Sequence, residues 1–162
     1  MKGLLREIVE TSSLTLLVIG SVLLISGTYP VFAVVISDSM SPNLERGDVV
    51  FMMKTEVITY EEGKALKYVS FGNYGDVIVY RPNGNDDVTP IIHRAMMWVE
   101  KGEIIPNDGI AAHSGYITKG DANAIYDQPV LSSPVKEEWV VGVAKFRIPK
   151  VGILYLKILE LL

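Results

Sequence analysis

The uncharged stretch of residues 11–37 constrains the fold of this chain more than any other feature. Its 27 positions hold no Asp, Glu, Lys or Arg and are mostly apolar. About 20 apolar residues suffice to cross a bilayer as a helix, so the stretch is long enough. Gly20, Gly27 and Pro30 would weaken a helix in water, but membrane helices tolerate such residues. The stretch predicts a transmembrane helix over 11–36, after a short N-terminal segment, 1–10.

Two other interpretations of this stretch fit less well. A helix buried in a globular core would be shorter and amphipathic. A cleavable secretory signal would suit the small residue at Ala33, but its apolar core is typically about 7–15 residues long. We therefore interpret the stretch as an uncleaved signal anchor. The secretory alternative, a soluble β protein released by cutting after Ala33, would have Val34 as its mature N-terminus.

Positive charge favours one orientation of the predicted anchor. Lys2, Arg6 and the N-terminal amine precede it, whereas Arg46 alone is positive within about 20 residues after it. Because positive residues stay in the cytoplasm, we expect the N-terminus there and the rest outside the cell membrane.

The middle of the chain, residues 37–150, reads as a series of short strands. Apolar and β-branched runs alternate with Gly, Pro and Asn turns, and no soluble helix is indicated; 55–72 is expected to be a loop or a short excursion. The pattern predicts an all-β barrel or sandwich. The predicted strands are 49–53, 75–81, 90–99, 103–105, 115–119 and 139–148.

The apolar tail, residues 151–162, carries only Lys157 and Glu160 as charges. A helix of this length reaches about 18 Å, too short for a bilayer of about 30 Å. We expect a short C-terminal helix that either lies on the membrane beside the anchor or packs on the β domain.

Composition excludes several functions. The chain has no Cys, which rules out disulfides, thiolate catalysis and Cys-based zinc sites, and its two His residues cannot form a multi-histidine metal site. A site made of carboxylates alone stays open, although no spacing indicates one. The net charge of −4, without a polybasic block, argues against nucleic acid. No cofactor is predicted.

Three polar elements could together form a catalytic set. Ser37 and Ser39 follow the apolar stretch in a loop-like context, and a serine needs a neighbouring base to become a nucleophile. His93, in an apolar strand, and His113, in a loop, are the candidate bases. The turn-like segment 118–127 supplies Asp121 and Asp127. Alone, each element would suit an ordinary core or loop position, but together they offer nucleophile, base and orienting acid for acyl transfer.

Five sequence motifs that contain or surround these residues occur in the same order as in one enzyme family. They are S-x-S-M-x-P-x-L-x-x-G-D over 37–48, G-D-V-I-V-Y over 75–80, I-I-H-R over 91–94, T-K-G-D-A-N over 118–123 and R-I-P-K-V-G over 147–152. In this arrangement the chain, from about Leu14 onward, resembles type I signal peptidases of the archaeal and endoplasmic-reticulum type. The bacterial branch uses a lysine base where this chain has His93. The absence of Cys and the Ser-His pattern favour an archaeal source.

The resemblance implies a role for each candidate. Ser39 would be the nucleophile and His93 its base, while the Ser39 N–H and the Ser37 hydroxyl would stabilise the oxyanion. Asp127 matches the acid that orients the histidine and Asp121 a supporting residue, although the two aspartates could exchange roles. Relatives usually have Asn where this chain has Ala122.

The implied activity is that of a membrane-anchored serine endopeptidase whose substrates are the signal peptides of preproteins. The lipid bilayer and the secretion translocon are candidate partners. Ser39 follows the predicted span by a few residues, so we expect the nucleophile close to the outer membrane surface, with Ile36 and Met40 forming shallow pockets for small substrate residues. A non-catalytic membrane-anchored β domain and a processing peptidase for one secreted component remain the alternatives.

Overall fold

The computed structural model describes residues 2–160, and it begins with one long apolar helix, α1, Lys2–Ser26. Gly3–Ser26 is long and apolar enough to cross a membrane. Most of its side chains are exposed, as at Leu16 and Leu24, and only its last part approaches the domain, where Ser26 is buried. The predicted apolar helix is confirmed, but it starts and ends earlier than 11–36. Gly27, at φ +63°, ends it by donating its N–H to the Leu23 carbonyl, the αL helix end that glycine favours.

The last part of the uncharged stretch belongs to the β domain. β1, Phe32–Val34, pairs antiparallel with β2, Val49–Met53. An uncharged apolar run suits a membrane helix and a buried strand equally, which is why the sequence did not show this boundary. As a result Ser39 lies thirteen positions after the helix ends at Ser26, not within a few residues of it.

The β domain is built on a six-stranded antiparallel sheet that curls into a half-barrel, which confirms the all-β class. After β1 and β2, the strands are β3 Val69–Ser70, β4 Asn73–Tyr74, β5 Val77–Tyr80, β6 Ile91–Val99, β7 Ile104–Ile105, β8 Gly109–Ile110, β9 Gly115–Lys119 and β10 Val140–Ile148. The sheet follows the order β1-β2-β10-β5-β6-β9, and β-bulges on β6 and β10 increase its curvature. Two hairpins, β3–β4 and β7–β8, flank it.

Both faces of β5 are buried, because its sequence is an unbroken run of apolar and aromatic residues. Val77 and Val79 pack in one cluster with Met40 and Leu44. Ile78 and Tyr80 pack in a second cluster on the opposite face. The segment that carries the predicted nucleophile is therefore attached to the main core.

Residues 55–72, expected to be a loop or a short excursion, leave the main sheet but contain regular structure that was not predicted. They form a helix, α2, Tyr60–Leu66, and β3, which pairs with β4 just beyond this region. A capping box starts the helix: Glu62 N–H donates to Thr59 Oγ1 at 3.3 Å, and Thr59 N–H donates to Glu62 Oε2 at 2.8 Å. Such a cap stabilises a helix by about 1 kcal/mol. The T-x-x-E pattern was the available signal.

The C-terminal helix, α3, covers Ile153–Leu159 and packs on the domain through one side. Leu156 is buried, and the Gly152 N–H donates to the Gly47 carbonyl at 2.8 Å. Leu154 and Tyr155 face outward. One side of α3 therefore packs on the β domain, as one of the two expectations had it, while its other side is apolar and exposed. Of the predicted segments 1–10 and 151–162, Met1 and 161–162 lie outside the described residues.

Candidate active site

A tight turn directly before two buried side chains holds the predicted nucleophile. Across Ser39, the Ser41 N–H donates to the Asp38 carbonyl at 3.0 Å. Immediately after it, Met40 and Leu44 are 1% and 0% exposed, and the Leu44 N–H donates to the Met40 carbonyl at 2.9 Å. The apolar residues of the motif therefore anchor the turn, while Ser39 stays accessible.

The structure brings three of the predicted residues into one hydrogen-bonded chain. His93 lies on β6, and its Nε2 is 2.9 Å from Ser39 Oγ, while its Nδ1 is 2.6 Å from Asp127 Oδ2. His93 and Asp127 are 4% and 2% exposed. This is the geometry of a nucleophile, a base and an acid that orients the base.

Two hydroxyl groups donate to the Asp127 carboxylate, and a third polar residue supports one of them. Its Oδ2 accepts from Thr118 Oγ1 at 2.7 Å and from the Tyr80 hydroxyl at 3.1 Å. Gln128 Nε2 donates to Thr118 Oγ1 at 3.1 Å. Burial, reinforced by the Asp127 charge, raises the pKa of the Tyr80 hydroxyl far above its usual range, so it remains a donor at any physiological pH. The carboxylate is thus fixed toward His93.

The second predicted aspartate lies elsewhere. Asp121 forms a two-point ion pair with the fully buried Arg94, at 2.8 Å to Nε and 2.7 Å to Nη2. It also accepts from Asn43 Nδ2 at 2.8 Å. Arg94 Nη1 donates to the carbonyls of Ser70 and Gly75 as well. Asp121 therefore links the serine turn to the β3–β4 region and does not contact His93.

The segment Gly120–Ala122 packs directly against the nucleophile. The Ala122 N–H donates to the Ser39 carbonyl at 2.9 Å. A Cβ at Gly120 would lie 2.6 Å from that carbonyl oxygen and 2.9 Å from His93 Nε2. Because Ala122 acts through its backbone, its departure from the usual Asn leaves this contact intact.

Two donors lie next to the nucleophile. Ser37 Oγ is 3.1 Å from Ser39 Oγ. In the part of the chain that the structure describes, no acceptor is bonded to the Ser39 backbone N–H. Both groups could therefore meet the oxygen of a carbonyl attacked by Ser39. His113 lies apart from them, with its ring nitrogens near the Ser114 carbonyl and Ser133 Oγ.

An apolar groove of about 720 Å³ opens beside Ser39 and His93. One wall is the segment 30–37 and the other is the segment 89–92. Ile36 and Met40 both line it, as the sequence predicted. Within residues 2–160, no group of three His, Asp or Glu side chains could hold a metal ion.

Sequence reasoning overlooked the residues that support the three-residue chain. Tyr80, Thr118 and Arg94 belong to motifs that were noted, but nothing in a linear pattern shows which polar side chain meets which. Polar residues at strand positions that are otherwise apolar were the only available signal, because buried polar groups need partners.

Comparison with known proteins finds relatives of one kind. No protein-family model matches the chain. The signal peptidase complex catalytic subunit SEC11 of Komagataella phaffii is 29% identical over 141 residues, which cover 85% of this chain and 71% of that protein.

Other fungal relatives agree. SEC11 of Lachancea thermotolerans is 28% identical, with 85% of this chain and 71% of that protein covered. SEC11 of Schizophyllum commune is 30% identical, with 79% and 64% covered. All three are fungal, so they give no support to the archaeal source suggested by the sequence. The chain is a homologue of the signal peptidase catalytic subunits of the Ser-His type, which indicates a serine endopeptidase.

Proposed function

We propose that this protein is a membrane-anchored signal peptidase that removes signal peptides from preproteins by Ser-His-Asp acyl transfer. The observation that carries the proposal is the continuous chain Ser39 Oγ–His93 Nε2, His93 Nδ1–Asp127 Oδ2 at the side of an apolar groove. A substrate carbonyl placed over Ser39 would meet a nucleophile, a base and an oxyanion site in one place.

In the proposed first step, His93 Nε2 takes the Ser39 proton as Oγ attacks the scissile carbonyl carbon. Asp127 keeps Nδ1 protonated and stabilises the imidazolium that forms. The carbonyl oxygen becomes an oxyanion, to which the Ser39 N–H and the Ser37 hydroxyl donate. His93 then gives its proton to the leaving amine. Water, activated by the same imidazole, hydrolyses the acyl-enzyme and restores Ser39.

Substrate and location follow from the anchor. We propose that α1 spans the membrane with the N-terminus in the cytoplasm and the β domain outside, as the distribution of Lys and Arg favours. A signal peptide still in the bilayer would present its cleavage site at that surface, where the groove would bind its small residues against Ile36 and Met40. The lipid bilayer and the translocon are the proposed partners. The expected divisions 1–10, 11–36, 37–150 and 151–162 are revised here, and we propose an anchor formed by α1, a β domain that begins with β1 and a short C-terminal helix, α3.

Cleavage of a preprotein by membranes that contain this chain tests the activity. We expect mature product with the wild type and none with Ser39→Ala or His93→Ala. His113→Ala is the matched control, because His113 lies outside the groove and should be dispensable. Undiminished cleavage by Ser39→Ala membranes would assign the activity to another protein.

Orientation is tested separately. The absence of Cys allows single-cysteine variants without background labelling. A Cys placed at the exposed Asp87 should react with a membrane-impermeant maleimide on intact cells, whereas a Cys at Gly3 should react only after lysis. The reverse pattern would contradict the proposed topology.

A further inference from the structure

One end of the groove carries a single fixed positive charge. Arg81 is the only Lys or Arg side chain among the groove-lining residues within 2–160, and no Asp or Glu of that part of the chain lines the groove. The other lining residues are largely apolar. A cation at the edge of an otherwise apolar groove favours a negatively charged ligand, because the apolar walls keep water from fully solvating the charge.

The backbone of Arg81 is held firmly. Its N–H donates to the Trp139 carbonyl at 2.9 Å, and its carbonyl accepts from Gly84 at 3.0 Å. Gly84 in turn packs against the Trp139 ring, where a Cβ would come within 2.5 Å of Nε1. The guanidinium therefore extends from a rigid base at the end of β5.

The charge of Arg81 has only a weak competitor. Arg81 Nε pairs with Asp86, whose side chain is 81% exposed, against 32% for Arg81. Ion pairs with such an exposed partner contribute little, so a carboxylate delivered within the groove could replace Asp86 or share the guanidinium with it.

The sheet register places Arg81 at a defined distance from the catalytic residues. Tyr80 pairs with Ile91, and Ile78 pairs with His93. Arg81 lies three residues beyond Ile78, the strand partner of His93, which places it about 10 Å from His93 along the strand direction. A substrate in extended conformation along 89–92 would bring a residue about three to five positions from the cleaved bond to the guanidinium.

The position of the end of α1 indicates whether Arg81 faces substrate residues before or after the cleaved bond. Ser26 accepts from the Lys54 N–H at 2.7 Å, and Thr28 Oγ1 donates to the Val141 carbonyl, next to the β10 residue that pairs with Tyr80. The helix end and Arg81 thus lie at the same end of the groove. A peptide whose apolar segment lies beside α1 would enter here, so its residues before the cleaved bond would pass Arg81.

We propose that Arg81 is a specificity-determining residue that selects signal peptides carrying an Asp or Glu about three to five residues before the cleaved bond. This inference rests on the proposed function, since it requires the groove to hold the substrate. Arg81 does not contact the reacting atoms, so it should change the preference between substrates and leave the chemical step unaltered.

The test compares two preproteins that differ only by Glu or Gln at the fourth residue before the cut, with full-length protein in detergent. We expect the wild type to favour the Glu substrate by about threefold to tenfold in kcat/KM, the size of one partly shielded ion pair. Arg81→Gln should abolish this preference and Arg81→Glu should reverse it, mainly through KM. Asp86→Asn, which removes the competing carboxylate, should enlarge it.

Lys64→Gln is the matched control, because it removes the same charge from an exposed site on α2 outside the groove. It should keep the wild-type ratio. A Glu/Gln preference in Arg81→Gln equal to that of the wild type would overturn the proposal. An equal fall in kcat/KM for both substrates would overturn it too, because that is the effect of a structural role. Cleavage of the Gln substrate by the wild type reports the proposed function independently, so the two ideas can fail separately.

Discussion

The backbone N–H of Ala122 donates a hydrogen bond of 2.9 Å to the carbonyl oxygen of Ser39. This contact attaches the loop between β9 and Asp127 to the turn that carries the nucleophile. Thr118, Gly120 and Asp121, all from the same motif, contact Asp127, Ser39 and Arg94 respectively. The position of Ser39 relative to His93 therefore depends on a loop far away in sequence.

Substitution of the two aspartates should have different consequences. We expect Asp127→Asn to lower kcat by about 10³- to 10⁴-fold with the fold retained, because an amide would no longer stabilise the His93 imidazolium. Asp121→Asn should instead destabilise the protein, by about 3–5 kcal/mol, because Arg94 is fully buried and would lose its only carboxylate partner among the described residues. Preprotein cleavage and urea unfolding of both variants check this, and the reverse pattern would assign the orienting role to Asp121.

Replacement of Ser37 should affect the chemical step alone. If its hydroxyl stabilises the oxyanion, Ser37→Ala should lower kcat by about 10²-fold with little change in KM. Ser41→Ala, in the same turn, is the control, since only its backbone N–H is used there. Equal losses in the two variants would indicate a general disturbance of the turn and contradict the oxyanion role.

A methyl group at Gly120 should separate the nucleophile from its base. Its Cβ would come within 2.6 Å of the Ser39 carbonyl oxygen, 2.7 Å of Asn123 Nδ2 and 2.9 Å of His93 Nε2, so the loop or these neighbouring groups must shift. We expect Gly120→Ala to lower kcat by about 10²-fold, the effect of a displacement near 1 Å. Gly20→Ala, which meets no atom within 4 Å, should leave cleavage unchanged. Wild-type kcat in Gly120→Ala would show that the loop can relax.

The Asp48 carboxylate should make the stability of the folded protein depend on pH in the acid range. Burial raises the pKa of this carboxyl, but hydrogen bonds from the Glu45 and Lys150 N–H groups and from Arg147 outweigh burial and hold the pKa below its usual value. The Asp48 carboxylate contributes fully to the free energy of unfolding above the pKa of an unfolded aspartate, about 3.9. This contribution is lost as the pH falls through the lower pKa that Asp48 has in the folded protein. We expect Asp48→Asn to cost about 1–2 kcal/mol at pH 7.

Urea midpoints at pH 7 and pH 3 measure this difference. The gap between the wild type and Asp48→Asn should narrow as the pH falls below 4, because protonation removes the same interactions from the wild type. Asp87→Asn, at an exposed loop position, is the control and should show no gap at either pH. A gap that stays constant from pH 7 to pH 3 would contradict the assignment.

The sequence predicted the parts of the fold where one physical signal dominates. Val49–Met53 and Gly115–Lys119 match the predicted strands residue for residue, because apolar and β-branched residues there are bounded by turn residues. The uncharged stretch was different. Its apolar residues suit both a bilayer and a sheet, so only the left-handed Gly27 and the pairing of Phe32–Val34 with β2 separate the two.

The candidate site shows the same limit. Motif order predicted Ser39, His93 and the two aspartates as site residues; of the two aspartates, Asp127 contacts His93 and Asp121 contacts Arg94. The contacts of Tyr80, Thr118 and Arg94 could not be predicted, since they join residues from different strands whose spatial relation depends on the whole sheet. Long-range polar contacts are a property of tertiary packing and leave no periodic trace in a sequence.

Only residues 27–31 separate the end of α1 from β1, and hydrogen bonds at Ser26 and Thr28 attach this connection to the sheet. This short, hydrogen-bonded connection and the packing of the Ser39 turn therefore fix the height of Ser39 above the end of the helix, and we expect it to be the same for every substrate. If α1 spans the bilayer, the enzyme selects substrates by the length of their apolar segment as well as by the residues at their cleavage site. A preprotein would be cut at the residue that its own apolar segment lifts to that height, so lengthening this segment should move or abolish cleavage even when the cleavage-site residues are unchanged.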